Sequence, residues 1–250
     1  MQPAAHLAHI AHVTLGDGSV RIIAPLVGST ESQLTKELRA SHEAGSDILE
    51  WRADFFENAT QAALTSAAMT LRGITEQPLL FTLRTAAEGG ALNITDADYA
   101  HLTQYFAASG FADAIDIELM RGATDSIATA HQANLPVVMS YHNFEKTPSE
   151  KTLATLFADM DAAGGDVLKI AVMPQMPEDV LKLMSVSLKA RQKYQKPVIA
   201  IAMGELGRIT RAAGSLFGSD ATFASLENQS APGQISIGEM KRLLELFAFS

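Results

Sequence analysis

The chain of 250 residues contains no cysteine. Disulfides, thiolate-bound zinc and a cysteine nucleophile are therefore excluded, and a reducing cytoplasm is the expected compartment. No apolar run approaches the roughly 18 residues that a membrane span needs. The N-terminus, Met-Gln-Pro-Ala-Ala-His, has no cationic region followed by an apolar core, so no secretory signal is expected. Cations are in the minority, 19 Lys and Arg against 28 Asp and Glu, for a formal charge of −9. That balance argues against a general nucleic-acid or anionic-membrane surface while leaving room for a local cationic pocket. The seven histidines are scattered, without a carboxylate–His spacing that would make a ligand set, so neither a metal nor a cofactor is expected. Linkers, low-complexity tracts and short repeats are also missing. Residues 1–250 read as a single domain long enough to bury a sizeable core.

What is present is alternation. Hydrophobic residues make up 47% of the chain. Short runs rich in Val, Ile and Leu fall at 21–27, 47–52, 79–84, 114–119, 136–141, 166–172, 197–203 and 221–226. Helix-length segments lie between or after them at 31–44, 60–73, 96–109, 123–134, 149–163, 177–194 and 236–248, with a Gly-rich and less helical stretch at 205–218. Strand–helix alternation implies parallel strands with right-handed crossovers. Eight such units in this length fit a (β/α)₈ barrel of the α/β class, with a doubly wound open sheet as the alternative. No G-x-G-x-x-G follows an early strand, which weakens a dinucleotide-binding reading. Thr95 with Asp98 resembles a capping box, and Ala44-Gly45 and Ala163-Gly164-Gly165 read as helix stops. Residues 9–20 alternate around Gly16-Asp17-Gly18, predicting a short leading hairpin that closes the bottom of the barrel.

Lys169 lies inside Asp166-Val-Leu-Lys-Ile-Ala-Val-Met173, otherwise a buried strand, and shares a face with Val167 and Ala171. Burial disfavours an ammonium, and a neutral amine is a nucleophile toward ketones and aldehydes. The plainer reading is a strand-end lysine whose head snorkels to water. Polar residues also gather at the ends of other strands: Glu50 and Arg52 on one face, Arg84 followed by Glu88-Gly-Gly, Asp116 with Glu118, and His142. The last strand leads into Ser230-Ala-Pro-Gly-Gln234, a candidate lid. Each has a structural explanation when taken singly, as an ion pair, a satisfied core-edge carboxylate, a surface histidine or a turn. Stability does not explain them jointly, because unpaired buried charge costs several kcal/mol.

These segments carry a resemblance. Asp-Ile-Leu-Glu50-Trp-Arg52-Ala-Asp54, Phe-Thr-Leu-Arg84-Thr-Ala-Ala-Glu88-Gly-Gly, Met-Ser-Tyr-His142-Asn-Phe-Glu-Lys-Thr-Pro and Lys169-Ile-Ala-Val-Met-Pro-Gln occur in that order. Met203-Gly, Thr210-Arg211, Gly218-Ser219 and Ser230-Ala-Pro-Gly-Gln234 follow. From about residue 20 to its end, the chain resembles type I 3-dehydroquinate dehydratases. The resemblance implies a TIM barrel that dehydrates 3-dehydroquinate to 3-dehydroshikimate in the shikimate pathway, without a cofactor or metal, as a homodimer. It implies an imine on Lys169, general acid–base work by His142 and a partner role for Glu88. Substrate binding would fall to Glu50, Arg52, Arg84, Arg211, Ser230 and Gln234. Arg52 is expected to help Lys169 shed its proton by like charge. Relatives often carry Asn-His-Asp around the histidine, where this chain has Tyr141 and Asn143, and some carry a serine where it has Pro25. Two rival readings are another lysine-imine lyase, such as a class I aldolase, and a catalytically dead barrel acting as a scaffold.

Overall fold

A computed structural model describes residues 4–226 and 233–247. The short Val-, Ile- and Leu-rich runs form strands because they are buried on both sides, as parallel strands under helices must be. After a short hairpin of β1 (Ala8–Ile10) and β2 (Val13–Leu15), the main sheet contains β3 (Arg21–Leu26), β4 (Ile48–Arg52), β5 (Leu79–Thr82), β6 (Ala114–Glu118), β7 (Val137–Asn143), β8 (Val167–Val172), β9 (Val198–Ala202), β10 (Ala221–Ser225) and the short β11 (Ile235–Ser236). All pairings in this sheet are parallel, in the order β11-β10-β3-β4-β5-β6-β7-β8-β9. The ring closes between β9 and β10 through Asp220, whose N–H donates to Val198 O at 2.7 Å. The Asp220 carboxylate in turn accepts from Val198 N at 2.9 Å and from Arg191 Nε at 2.8 Å.

Helices follow the strands: α1 (Glu31–Ala44), α2 (Gln61–Arg72), α3 (Asp96–Ser109), α4 (Thr124–Gln132), α5 (Glu150–Ala162), α6 (Pro177–Tyr194), α7 (Arg208–Ala212) and α8 (Ile237–Leu246). Thr30, Thr60, Thr95, Ser149 and Ser236 cap α1, α2, α3, α5 and α8 by accepting a backbone N–H with the side-chain oxygen. The Gly-rich stretch 205–218 yields only the short α7 and a 3₁₀ turn at Gly214–Phe217. No described helix is long and apolar enough to cross a membrane.

Strand alternation sorts side chains into two cores. Leu49, Trp51, Phe81, Ile115, Ile117, Met139, Leu168 and Ile170 face outward onto the helices. Ile23, Ile48, Leu80, Ala114, Val138, Val167, Ile199 and Ala221 face inward at the strands' N-terminal ends, packed with Ala8, Ile10 and Leu15 of the hairpin. The hairpin thus closes the bottom, but it turns at Ala11-His12, not at Gly16-Asp17-Gly18. Ala11 takes the left-handed conformation, with φ +50°. Gly16 and Gly18, at φ +92° and +100°, instead route the chain from β2 into β3. The space there is tight, since a Cβ on Gly16 would come within 3.0 Å of Pro197.

Candidate active site

Along each strand, the inward positions above the apolar floor turn polar. Glu50 on β4, Thr82 on β5, Asp116 on β6, Ser140 on β7 and Lys169 on β8 are all buried. The register places Thr82 beside both Arg52 and Asp116, and Ser140 beside both Glu118 and Lys169. Lys169 is 4% exposed, so its head does not snorkel to bulk water. Its Nζ donates to Asp116 Oδ2 at 2.9 Å and Glu50 Oε1 at 3.4 Å, and lies 4.6 Å from the centre of the Phe223 ring. The sequence predicts an amine surrounded by apolar strand and repelled by Arg52. The barrel instead sets two carboxylates, Asp116 and Glu50, against it. Arg52 is turned to Asp54 through two bonds of 2.8 Å.

Arg84 links the two halves of the site. Nη2 donates to Asp116 Oδ1 at 2.7 Å, and Nη1 donates to Glu118 Oε1 and Ser140 Oγ at 3.0 Å each. Nη1 also lies 3.5 Å from Glu88 Oε2. Burial works against the charge on this guanidinium, but Asp116, Glu118 and Glu88 outweigh it and raise its pKa. Asp116 shows the converse: burial alone would raise its pKa, yet Arg84 and Lys169 bring it down to about 2. Ser140 Oγ donates to Asp116 Oδ1 at 2.6 Å, and Thr82 Oγ1 donates to Glu50 Oε1 at 3.0 Å.

Above Lys169's neighbours stands the pair Glu88–His142. The 3₁₀ turn Ala86–Glu88 brings Glu88 Oε2 to 2.9 Å from His142 Nδ1, and the same oxygen accepts His142 N–H at 3.0 Å. Burial raises the Glu88 carboxyl to about 8, with Glu118 and Asp116 adding to it and Arg84 opposing. Burial, then Arg84, Lys169 and Arg52, hold His142 well below the usual imidazole value. Both directions favour uncharged partners, so the pair holds a neutral imidazole next to a carboxyl group.

Arg211 from α7 is 1% exposed and donates through Nη1 to Phe223 O at 3.3 Å. Burial lowers its pKa to about 10. Glu50, Arg52, Arg84, Glu88, His142, Lys169, Arg211 and Gln234 all line one cleft of about 480 Å³, including its open mouth, with Phe144, Ile201, Met203 and Phe223 as apolar wall. Of the nominated residues, only Ser230 lies outside those described, as do Ala231 and Pro232 of the candidate lid. Sequence reasoning gave no site role to Asp54, Thr82 or Ser140, and treated Asp116 only as a strand carboxylate. Their signal was positional: Thr82, Asp116 and Ser140 share the inward phase of Arg84, Glu118 and His142. Tyr141 points to the outer core, and its hydroxyl accepts from Asn143 Nδ2 at 3.2 Å. Asn143 Oδ1 accepts the N–H groups of Glu145 and Lys146, so it braces the turn after β7. Pro25 pairs in register with Glu50. Among the described residues no three His, Asp or Glu side chains group to hold a metal ion.

A family model described as type I 3-dehydroquinase matches residues 22–248. The chain is 40% identical over 242 residues to the 3-dehydroquinate dehydratase of Listeria monocytogenes, covering 95% of this chain and 96% of that protein. It is 41% identical over 243 residues to the enzyme of the same name from Salmonella typhimurium, covering 95% and 96%. The crystal structure of the 3-dehydroquinate dehydratase from Geobacillus kaustophilus superposes with a TM-score of 0.94 at 36% identity, covering 98% of each chain. The type I enzyme from Clostridium difficile, described with covalently modified comenic acid, gives 0.92 at 35% identity, covering 97% of each.

Proposed function

This chain belongs to the type I 3-dehydroquinase family, and on that premise we propose that its cleft dehydrates 3-dehydroquinate to 3-dehydroshikimate, a hydro-lyase step of the shikimate pathway, through an imine on Lys169. The observation that carries the reading is a lysine 4% exposed at the heart of the barrel, lining the same cleft as a buried, hydrogen-bonded Glu88–His142 pair. An amine attacks a carbonyl in its neutral form, so the addition needs a group that can take up protons. Asp116, held down to about 2, is a poor acceptor. His142, kept neutral by burial, is the base available.

Lys169 Nζ adds to the C3 carbonyl, and loss of water gives a protonated imine. That cation withdraws electrons from C2, so His142 can take a C2 proton and leave an enamine. The enamine electrons expel the C1 hydroxyl as it is protonated, forming the ring double bond and a second water. Hydrolysis of the imine returns the C3 ketone and frees the amine, so the sum is substrate to product plus one water. Glu88 fixes the imidazole through Nδ1 and presents Nε2 to the ring. Arg211, with Gln234 and Ser230, is assigned to the carboxylate, for which a guanidinium offers a planar fork. Glu50, Arg52 and Arg84 are assigned to the hydroxyl-bearing side. The covalently modified ligand in the C. difficile enzyme is in keeping with covalent chemistry in this family. The same reading includes a cytoplasmic homodimer, which sedimentation of the purified chain tests.

Borohydride added with 3-dehydroquinate, followed by peptide mapping, tests substrate, nucleophile and intermediate together. A reduced adduct on the peptide containing Lys169 is expected, together with ultraviolet absorbance from the conjugated enone. An adduct elsewhere overturns the residue assignment, and a flat trace from folded protein favours a scaffold.

A further inference from the structure

We propose that Asp54 is a positioning residue for this reaction: it fixes the Arg52 guanidinium at the cleft wall and ties it to the loop that carries Glu88. The inference rests on the dehydratase reading and assigns a role to a carboxylate that does not line the cleft. Asp54 sits in the 3₁₀ turn Ala53–Phe55 directly after β4, and its side chain is fully buried. Each of its oxygens has two donors. Oδ1 accepts Arg52 Nε at 2.8 Å and Arg84 N–H at 3.3 Å, and Oδ2 accepts Arg52 Nη2 at 2.8 Å and Ala91 N–H at 3.0 Å.

The fork matters because it selects one arrangement of a flexible side chain. With Nε and Nη2 bound to Asp54, the guanidinium plane is set and Nη1 is the nitrogen that Asp54 leaves for a substrate oxygen. The Phe55 ring, 4.8 Å from the guanidinium carbon, supports the same plane. A planar bidentate pair conveys orientation as well as charge, which a single contact would not. The other two bonds reach the neighbouring strand. Arg84 N–H lies two residues past β5, and Ala91 N–H lies in the loop whose bonds Ala86 N to Leu92 O (2.8 Å) and Gly90 N to Thr85 O (2.8 Å) enclose Glu88. One carboxylate thereby sets the spacing between a substrate-binding cation and the partner of the catalytic histidine. A surface-type ion pair would not do this, since a buried pair with every oxygen occupied cannot shift one partner without the others.

The test is a double-mutant cycle of Asp54→Asn and Arg52→Ala, read by steady-state kinetics with 3-dehydroquinate and by thermal unfolding. Asp54→Asn keeps the shape and one acceptor oxygen but loses the charge and half of the fork. The expected result is a KM raised roughly 10–100-fold with kcat changed much less, as for loss of a binding contact. In the Arg52→Ala background the same substitution should lose most of its effect on KM, because that part runs through the missing guanidinium, leaving only the smaller part carried by the Arg84 and Ala91 N–H bonds. Should Asp54→Asn not fold, Asp54→Glu, which keeps the charge and moves the fork by one methylene, carries the same cycle. Unchanged KM in the single variant, or KM effects that multiply in the double variant, overturns the proposal. Activity of the unsubstituted chain separates the two levels: if it turns over 3-dehydroquinate, such a result removes only the role of Asp54, and if it does not, the dehydratase reading falls and this one with it.

Discussion

Glu88 and His142 share a 2.9 Å contact inside a field of buried charges, and that contact governs how the site responds to pH. The Glu88 carboxyl sits at about 8 in the folded protein against an ordinary value of 4.5. A carboxyl whose folded value is raised contributes stability that is fully present below the unfolded value and is lost as pH rises through the folded one. Glu88→Gln cannot ionise. Melting temperatures measured from about pH 5 to pH 9 should therefore fall more steeply for the parent than for the variant, and parallel curves would refute a buried neutral carboxyl. His142 responds on the acid side. Its folded value lies well below 6.5, so stability tied to its neutral form is lost as pH drops below that unfolded value. His142→Ala should slow turnover by about 10²–10⁴-fold while borohydride still traps some adduct on Lys169, because the nucleophile is intact. A variant with parental kcat would remove the imidazole from the chemistry.

The loop between β5 and α3 sets where Glu88 stands, and two glycines determine its course. Gly89 has φ +79°, and a Cβ there would meet the Phe144 ring at 2.2 Å. A Cβ on Gly90 would lie 2.1 Å from the Arg84 carbonyl oxygen, which is backbone and cannot swing aside. Gly90→Ala is therefore expected to displace the end of β5, loosening Arg84 from Asp116 and Glu88 from His142. Turnover should fall at least about tenfold, together with the melting temperature, since positioning errors near 1 Å can cost about 10²-fold. Gly110, at the C-terminus of α3, is the control. It has φ +74° but nothing within 4 Å of an added Cβ. Gly110→Ala should cost only about 1–2 kcal/mol of left-handed backbone strain and leave the kinetics alone. Equal kinetic damage from both substitutions would mean that general loosening, and not the Glu88 loop, limits the reaction.

At the scale of the molecule, a barrel is useful only if it closes. Asp220 joins β10 to β9 through both its backbone and its carboxylate, and Arg191 of α6 meets that carboxylate and also reaches Gly16 O at 3.1 Å beneath the barrel. Asp220→Ala would strand a buried guanidinium and the Val198 N–H, a loss of about 3–5 kcal/mol. Urea unfolding should show that drop while the fraction still folded keeps the parental KM, because Asp220 touches no residue of the cleft wall. A kinetic change without a stability change would place the latch in the chemistry instead.

Much of this architecture was legible in the chain. Periodicity located α1, α3 and α6 to the residue, because amphipathic helices with Thr caps or a leading Pro leave local marks. Period-two alternation put Glu50 with Arg52 and Asp116 with Glu118 on common faces, and the resemblance ordered eight of the nine nominated side chains that now line one cleft. The hairpin turn and the 205–218 stretch were harder to read. Glycine announces a left-handed or crowded backbone without saying whether a turn or a passage under the barrel needs it, and Ala11 took the turn that Gly16-Asp17-Gly18 advertised. What the chain determined by itself was local: which residues favour strand or helix, which share a face, and that a lysine lies within an apolar strand. Only the closed barrel decided what that lysine meets. Asp116 is 53 residues away in sequence and Glu50 119, and no one-dimensional pattern records a pairing across a ring. The burial that neutralises His142 and raises Glu88, and the neighbouring charges that hold Asp116 ionised, act over a few ångströms of space, and that proximity exists only once eight strands have come together.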